Sequence, residues 1–280
     1  MYGRLRRVVV RRPDAAFGSA DPDAWNYTGQ PDLDAALEEH ARFVDRLADF
    51  GAEVIQHEGP DVGADAIFVH DPTLITDAGA VILRMGKALR DREPAATERL
   101  LEQVGTPILG RLDGDATAEG GDLLWLDART LAVGQGFRTN TAGAGQLAGL
   151  LAELGVRVEP VPLPYHRGAA GCLHLMSLIS MLDRDLAVTY SPLLPVSFVR
   201  ILEARGVHRV EVPDEEFETM GPNVLALAPR RCLMLEGNPV TRRRLEAAGC
   251  SVATYRGAEI SLKAEGGPTC LTRPLLRDAG

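Results

Sequence analysis

The chain has 280 residues, of which 45% are hydrophobic and 25% are charged, a composition that is typical of globular proteins and argues against disorder. Thirty-nine acidic and 30 basic residues give a formal net charge of −9, which disfavours generic nucleic-acid binding because phosphates require a basic surface. No apolar run is long enough for a transmembrane helix, and the first residues lack the apolar stretch of a signal peptide, so the sequence predicts a cytoplasmic protein.

Five predicted helices recur along the chain, and each of them ends at a glycine that leads into a strand-like stretch. Apolar residues spaced by three and four positions indicate helices with one buried face. A glycine after such a pattern is typical of a helix end, because it adopts the left-handed conformation that turns the chain. The predicted helices and their glycines are 33–50 with Gly51, 95–104 with Gly105, 145–154 with Gly155, 195–205 with Gly206, and 239–248 with Gly249.

Two short apolar runs, separated by turn residues, precede each of the last four predicted helices. Each pair predicts a β-hairpin. The repeating unit is therefore a hairpin, a helix and a strand, at a period of roughly 50 residues. The paired runs are 66–69 with 80–83, 123–126 with 131–133, 175–182 with 186–189, and 224–227 with 232–235.

The fifth unit is divided between the two ends of the chain. Residues 6–11 form a predicted strand before the first helix, and the runs 260–263 and 270–272 near the C-terminus have no helix after them. Pairing of the terminal strands would close five modules into a ring without exposed sheet edges. We therefore expect an α/β fold with one domain over residues 1–280. An ordinary α/β sheet with a similar alternation is the alternative.

Cysteine and histidine are the first candidates for chemistry. Cys270 follows a Gly-Gly-Pro turn, which can hold its sulfur at a cleft as a nucleophile, although a lone cysteine can also fill a core. His174 begins a predicted hairpin and could transfer protons near neutral pH. Because no Cys-x-x-Cys pair occurs, a structural zinc site is not expected. The other cysteines, which we interpret as structural, are Cys172, Cys232 and Cys250.

Acidic residues stand at the ends of two apolar runs. Asp65 and Asp71 bracket the run 66–69, and Glu119 and Asp122 precede the run 123–126. Carboxylates in such positions fit a site for a cationic group, although capping and turn formation use the same residue types. Arg138 lies between a predicted strand and a predicted helix, where it could bind a carboxylate in a bidentate manner or remain a solvated surface residue.

Taken in chain order, these motifs resemble those of the guanidino-group modifying enzymes of the pentein fold, the family of dimethylarginine dimethylaminohydrolases and arginine deiminases. The resemblance implies a pentein α/β propeller and hydrolysis of a guanidino C–N bond. The substrate would be arginine or N-methylated arginine (asymmetric dimethylarginine or monomethylarginine), and the products citrulline and an amine or ammonia. No metal or organic cofactor is implied. The matching stretches are 65–72, 119–122, 138–140, 172–175 and 267–272.

The resemblance also implies a role for each candidate residue. Cys270 would attack the guanidinium carbon and form a covalent thiouronium. His174 would protonate the departing amine and then activate water, and Glu119 would orient His174.

Four further residues would bind the substrate by charge. Asp71 would hold the guanidinium nitrogens, and Asp65 would contact the α-amino group. The α-carboxylate would be bound by Arg138, together with Arg90 from the arginine-rich stretch 84–92.

Two residues depart from the family patterns. His70 stands where dimethylargininases typically carry an acid, and Met176 stands where arginine deiminases carry an aspartate and many dimethylargininases carry a lysine. The sequence therefore leaves open whether arginine or methylated arginine is preferred. A deiminase, a dihydrolase that continues to ornithine, an amidinotransferase and a non-catalytic pentein binding factor are alternatives. We expect a small guanidino compound as the binding partner, with neither nucleic acid nor membrane. Oligomeric state is open, and a homo-oligomer is compatible with the sequence.

Overall fold

The computed structural model describes residues 1–59, 62–171 and 173–278. The longer helices are preceded by two single-turn helices near the N-terminus. The helices are α1 (Ala15–Gly18), α2 (Pro22–Trp25), α3 (Leu33–Asp49), α4 (Glu93–Gln103), α5 (Thr141–Ala152), α6 (Val196–Ala204) and α7 (Pro239–Ala247). The strands are β1 (Leu5–Val10), β2 (Glu53–Gln56), β3 (Thr73–Thr76), β4 (Gly79–Ile82), β5 (Ile108–Arg111), β6 (Leu123–Asp127), β7 (Thr130–Gln135), β8 (Arg157–Pro162), β9 (Ile179–Asp183), β10 (Leu186–Thr189), β11 (His208–Glu211), β12 (Val224–Ala228), β13 (Arg231–Leu235), β14 (Ser251–Tyr255) and β15 (Arg273–Arg277).

The strands of the described residues form five sheets of three strands each. In every sheet the middle strand pairs antiparallel with one neighbour and parallel with the other. The parallel neighbour always follows a helix, since a parallel pair requires a crossover connection. Each sheet with its helix is therefore one hairpin–helix–strand module, as the repeats predict. The strand orders are β15-β1-β2, β3-β4-β5, β6-β7-β8, β11-β10-β9 and β12-β13-β14.

The first module joins the two ends of the chain. β1 is the middle strand, and its Val9 lies opposite Arg273 of β15 and Ile55 of β2. One apolar core continues from this module into the last one, where Leu5 and Phe43 belong to the same buried cluster as Leu233. The terminal strands are thus held by both hydrogen bonds and packing.

The glycines that follow the long helices take the predicted left-handed conformation. Their φ angles lie between 68° and 93°, a region in which residues with a Cβ are strained. The chain reverses there and enters the next strand, which confirms the interpretation of these glycines as helix ends. The five are Gly51, Gly105, Gly155, Gly206 and Gly249.

Three predicted strand segments, 66–69, 260–263 and 270–272, are wrong, and a fourth, 175–182, is too long. Residues Ala64–Ile67 form a buried 3₁₀ turn, and the first hairpin uses β3 and β4 instead. A second 3₁₀ turn, Leu175–Ser177, shortens the predicted strand 175–182 to β9. The run 260–263 lies in the π-helical segment Ala258–Lys263, and the run 270–272 is a turn before β15. Apolar content alone does not distinguish a buried strand from a buried turn.

Among the described residues, no helix has both the length and the apolar character needed to cross a membrane.

Candidate active site

The segments that enter the modules meet at one cleft. Asp71 stands just before β3, His174 before β9, Asn223 before β12 and Cys270 before β15, and all four side chains line the cleft. The remaining module supplies Glu119 from the segment before β6, hydrogen-bonded to His174. The cleft encloses about 1040 Å³, including the solvent at its mouth. Equivalent positions of repeated modules therefore carry the candidate groups.

Glu119 is the buried centre of a hydrogen-bond network. Its Oε2 lies 2.7 Å from His174 Nε2, and its Oε1 accepts the backbone N–H groups of Gly86 and Lys87, each at 3.0 Å. Arg138 donates to Oε2 at 3.2 Å. Burial by itself would raise the pKa of Glu119, but the hydrogen bond and charge of His174, with the charge of Arg138, lower it below the ordinary value. Glu119 is therefore a carboxylate that orients the imidazole of His174.

Asp71 is a second buried carboxylate beside His174. The backbone N–H of Gly121 donates to its Oδ1 at 2.9 Å, and Arg90 donates to its Oδ2 at 2.6 Å. Burial would raise the pKa of Asp71, but the charge and hydrogen bond of Arg90, together with the histidines beside it, lower the pKa below its ordinary value. Asp71 thus faces the cleft as an anion that can accept from a bound guanidinium.

Arg90, which we expected to bind a substrate carboxylate, forms hydrogen bonds and ion pairs within the protein. Its Nε and one terminal nitrogen bind both oxygens of Glu93 at 2.8 and 2.7 Å, and the other terminal nitrogen binds Asp71. The same guanidinium also donates to the Phe68 carbonyl at 3.1 Å. Arg90 is only 3% exposed but lines the cleft, so its contact with a substrate carboxylate stays a prediction. Arg90 fixes Asp71.

Asp65 also has different partners from those expected. Lys87 Nζ lies 2.7 Å from its Oδ2, and the Tyr27 hydroxyl donates to its Oδ1 at 2.8 Å. Asp65 therefore has a cationic partner within the chain, and its contact with a substrate α-amino group stays a prediction. Arg138 lines the same cleft as Asp65 and Arg90, and its binding of a substrate carboxylate stays a prediction.

Cys270 lies in the turn before β15 and is partly exposed to the cleft. Asn223 contacts it from the neighbouring module, with Nδ2 3.4 Å from Sγ, while Asn223 Oδ1 accepts the backbone N–H of Thr269 at 3.1 Å. The amide therefore fixes the turn and donates to the sulfur. Cys232 and Cys250 are buried in one apolar cluster, as a structural interpretation requires, whereas Cys172 lies outside the described residues.

His70, one of the two departures from the family patterns, packs behind the nucleophile. Its backbone N–H donates to the Cys270 carbonyl at 3.2 Å, and its Nδ1 lies 2.9 Å from the Thr272 carbonyl. Burial, with the charge of Arg273, lowers the pKa of His70 to about 3, so the ring is neutral at physiological pH. The neutral ring stands where the family typically carries an acid. It holds the turn at Cys270 through the two contacts and adds no charge to the cleft. Met176 is buried in the apolar core.

Asp122 holds the segment that carries His174. It accepts the Thr139 hydroxyl at 2.6 Å and the backbone N–H of Leu175 at 2.9 Å. Burial raises the pKa of Asp122 to about 6. Asp122 thus acts on the position of His174 through the backbone of the next residue.

The acidic groups and His174 are close enough together to be compared with a metal site. One ligand atom from each of Asp71, Glu119 and His174 lies within 4.8 Å of the others. Both carboxylates already accept from arginine side chains and backbone N–H groups. Ion pairs and hydrogen bonds therefore account for the cluster.

Replacing Gly121 by alanine should displace His174. An alanine Cβ at this position would lie 2.4 Å from His174 Nδ1 and 2.6 Å from its Cγ, so the ring would have to leave Glu119. We expect kcat to fall about 100-fold or more, as when a proton-transfer group is misplaced. Steady-state kinetics with any accepted guanidino substrate measures this effect.

Gly145 of α5 offers the matched control, because an added Cβ there has no neighbour within 4 Å. Gly145→Ala should retain full activity and raise the free energy of unfolding by about 0.5–1 kcal/mol. Equal kcat for Gly121→Ala and the wild type would show that the close contact with His174 has no role in catalysis.

Known proteins resemble the chain in sequence. A family model described as arginine deiminase matches residues 64–203 and 193–277. The N(G),N(G)-dimethylarginine dimethylaminohydrolase of Streptomyces coelicolor is 31% identical over 271 residues, covering 95% of this chain and 96% of that protein. An arginine deiminase of Mycobacterium avium is 29% identical and matches 84% of this chain but 66% of its own length.

Solved structures resemble the chain in fold. A mutant of the dimethylarginine dimethylaminohydrolase from Pseudomonas aeruginosa, in complex with citrulline, superimposes with a TM-score of 0.80 at 24% identity, covering 96% of this chain and 98% of that one. The N-terminal domain of ArgZ, a cyanobacterial arginine dihydrolase bound to product, gives a TM-score of 0.85 at 21% identity and covers 98% of both chains. The chain therefore belongs to the dimethylarginine dimethylaminohydrolase and arginine deiminase family, whose pentein-fold hydrolases act on C–N bonds of guanidino groups.

Proposed function

We propose that the chain is a cysteine hydrolase that cleaves a guanidino C–N bond through a covalent thiouronium on Cys270. Arginine or N-methylated arginine would give citrulline, together with ammonia or a methylated amine. The observation that carries this proposal is the meeting of Cys270, His174 on Glu119, and Asp71 in one cleft. Cysteine, an oriented imidazole and a buried carboxylate are the nucleophile, the proton carrier and the cation-binding group that this reaction requires.

The proposed first step forms the covalent intermediate. Asp71 accepts from the guanidinium nitrogens, and the bound cation favours the thiolate form of Cys270. Sγ bonds to the guanidinium carbon, and the C–N bond to the departing nitrogen breaks. His174 gives a proton to that nitrogen, which leaves as an amine or ammonia. Asn223 supports the attacking sulfur through its amide N–H.

The proposed second step consumes one water molecule. His174 takes a proton from the water as its oxygen adds to the thiouronium carbon, and the C–S bond then breaks. The thiolate of Cys270 is regenerated, and the guanidino group has become a ureido group. Glu119, as a carboxylate, stabilises the positive charge that His174 carries before it protonates the leaving nitrogen and again after it has taken a proton from water.

We further propose that the five modules close into a ring and form one catalytic domain. Two observations support this arrangement. The terminal strands β1 and β15 are hydrogen-bonded neighbours. In addition, every module places a candidate residue at the same cleft, so a gap between the modules would divide the site.

Product analysis by mass spectrometry tests the proposed reaction. We expect citrulline from arginine, monomethylarginine or asymmetric dimethylarginine, with the corresponding amine, and none from the Cys270→Ser variant. Ornithine as the product would indicate a dihydrolase. Transfer of the amidino group to an added amine would indicate an amidinotransferase. The absence of turnover with every guanidino compound would contradict the proposal.

A further inference from the structure

A lysine of the chain pairs with Asp65, the residue expected to contact a substrate ammonium. Lys87 Nζ lies 2.7 Å from Asp65 Oδ2, donates to the Trp25 carbonyl at 2.9 Å, and lies 4.8 Å from the centroid of the Trp25 ring. The Tyr27 hydroxyl donates to the other oxygen of Asp65. A carboxylate, a carbonyl and an aromatic face are the partners that recognise an ammonium group. Lys87 has two hydrogen bonds of this kind, to Asp65 and to the Trp25 carbonyl, and the Trp25 ring lies beside it.

Several contacts hold Lys87 in this position. The backbone N–H of Lys87 donates to Glu119, and its side chain is only 11% exposed, beside an Asp65 side chain that is 8% exposed. Gly63, at φ +127°, admits the Trp25 ring, because a Cβ there would lie 2.8 Å from it. Withdrawing the lysine would leave the buried carboxylate of Asp65 with only the more distant Arg90, at 4.0 Å, as a cationic neighbour, which is unfavourable. The ion pair of Lys87 and Asp65 is therefore a fixed part of the cleft wall.

Lys87 spans the two ends of the proposed substrate site. Its backbone is bonded to Glu119 beside His174, and its ammonium reaches Asp65 through a four-carbon stem. That stem is similar in length to the aliphatic chain between the guanidino group and the α-carbon of arginine. Because Lys87 lines the same cleft as His174 and Cys270, its ammonium can meet the tail of a guanidino compound whose head lies at Cys270.

Lys87 neutralises Asp65 within the cleft and brings a donor for an anion to the same place. Lys87, Arg138 and Arg90 all line the cleft, and Arg90 also holds Glu93 and Asp71. An ammonium group has three N–H donors, and Asp65 and Trp25 accept two of those of Lys87. The third can bind a substrate carboxylate, while a substrate ammonium beside Lys87 would meet a like charge.

We propose that Lys87 determines specificity at the tail of the substrate, by donating to its carboxylate and by keeping its α-ammonium away from Asp65. The preferred substrates are guanidino carboxylic acids that lack a free α-ammonium group. Arginine and its methylated forms supply the carboxylate but carry the disfavoured ammonium, so they are slower substrates. This inference rests on the proposed guanidino hydrolysis and specifies the class of substrate.

Three compounds and one substitution test the inference. The compounds are arginine, deaminated arginine (without the α-amino group) and decarboxylated arginine (without the carboxylate). For the wild type, kcat/KM should be highest for the deaminated compound and lowest for the decarboxylated one. Lys87→Met retains the stem and removes the charge. It should lower kcat/KM for deaminated arginine about 10- to 100-fold and raise it for decarboxylated arginine about tenfold, because Asp65 becomes available.

The ratio of the two kcat/KM values within one variant cancels any loss of folded protein. Lys263→Met is the matched control, because it removes a lysine that pairs with Glu259 and does not line the cleft, and its ratio should equal that of the wild type. An unchanged ratio in Lys87→Met, or a wild type whose kcat/KM is higher for arginine than for deaminated arginine, would overturn the inference.

Binding to the Cys270→Ser variant separates this inference from the proposed reaction. Calorimetry should give a lower Kd for deaminated than for decarboxylated arginine, and Lys87→Met in the same background should reverse that order. If the order appears but the wild type releases neither amine nor ammonia, the role of Lys87 stands and the proposed hydrolysis fails. If the wild type turns over both compounds but binding shows no preference, the hydrolysis stands and the role of Lys87 fails.

Discussion

Replacing Cys270 by serine is expected to lower kcat by about 10⁴-fold or more while the protein remains folded. A hydroxyl has the shape of the thiol but is a far weaker nucleophile at neutral pH, and enzymes with a covalent intermediate lose most of their rate with the nucleophile. The turn before β15 does not depend on the sulfur, since Asn223 holds the backbone of Thr269 and His70 holds that of Cys270. Steady-state kinetics and circular dichroism measure the two quantities.

Cys250→Ala is the control for the loss of a thiol. Cys250 is buried in an apolar cluster away from the cleft, so this variant should lose some stability and keep its kcat. A Cys270→Ser variant with more than a few per cent of wild-type activity would show that another group attacks the substrate.

Replacing Glu119 by glutamine should lower kcat about 10³-fold. Both oxygens of Glu119 accept hydrogen bonds, from the backbone of Gly86 and Lys87 on one side and from His174 and Arg138 on the other. An amide cannot accept at both ends, and it carries no charge to stabilise protonated His174. The imidazole would lose both its orientation and its counterion.

Single-turnover kinetics separates the two steps of the reaction in this variant. We expect slower formation and slower hydrolysis of the thiouronium, because His174 acts in both. The surface variant Glu246→Gln removes a carboxylate that pairs only with an exposed arginine of α7, and it should retain the wild-type rate because such pairs contribute little. A kcat for Glu119→Gln within threefold of the wild type would contradict the proposed role of Glu119.

The sequence predicted the module architecture because that architecture has local causes. A glycine ends a helix by its own conformational freedom, and apolar spacing marks the buried face of each element. The structure also brings together Asp71, Glu119, His174 and Cys270, which the order of motifs had placed in one site. The number of positions between these residues in the sequence does not by itself indicate that they meet, because they come from equivalent positions in different modules.

The residues that sequence analysis missed act through distant contacts. Asn223 is an unremarkable residue before β12, and only its place before the first strand of a module, shared with His174 and Cys270, could have indicated the cleft. Lys87 was overlooked because its function depends on Asp65 and Trp25, which lie 22 and 62 positions away. A single lysine in a basic stretch gives no local signal of a buried ion pair.

The segment 260–263 was predicted to be a strand but is helical in the structure, and the cause is a distant contact. Ile260 and Leu262 alternate with polar residues, as in a half-buried strand. In the structure, the backbone N–H groups of Ala258, Glu259 and Ile260 donate to the carboxylate of Glu39 in α3. This carboxylate satisfies the N–H groups that the start of a helix leaves unpaired. The partner lies more than 200 positions away, so a local pattern could not reveal it.

Trapping the reaction intermediate tests the central claim most directly. The protein would be mixed with arginine or asymmetric dimethylarginine, quenched in acid within one turnover, and analysed by peptide mass spectrometry. We predict the same added mass from both substrates, that of the substrate minus its departing ammonia or dimethylamine, on the peptide containing Cys270 and on no other cysteine peptide. Turnover without an adduct on Cys270, or an adduct that has lost the amino-acid portion of the substrate, would contradict hydrolysis through the proposed thiouronium.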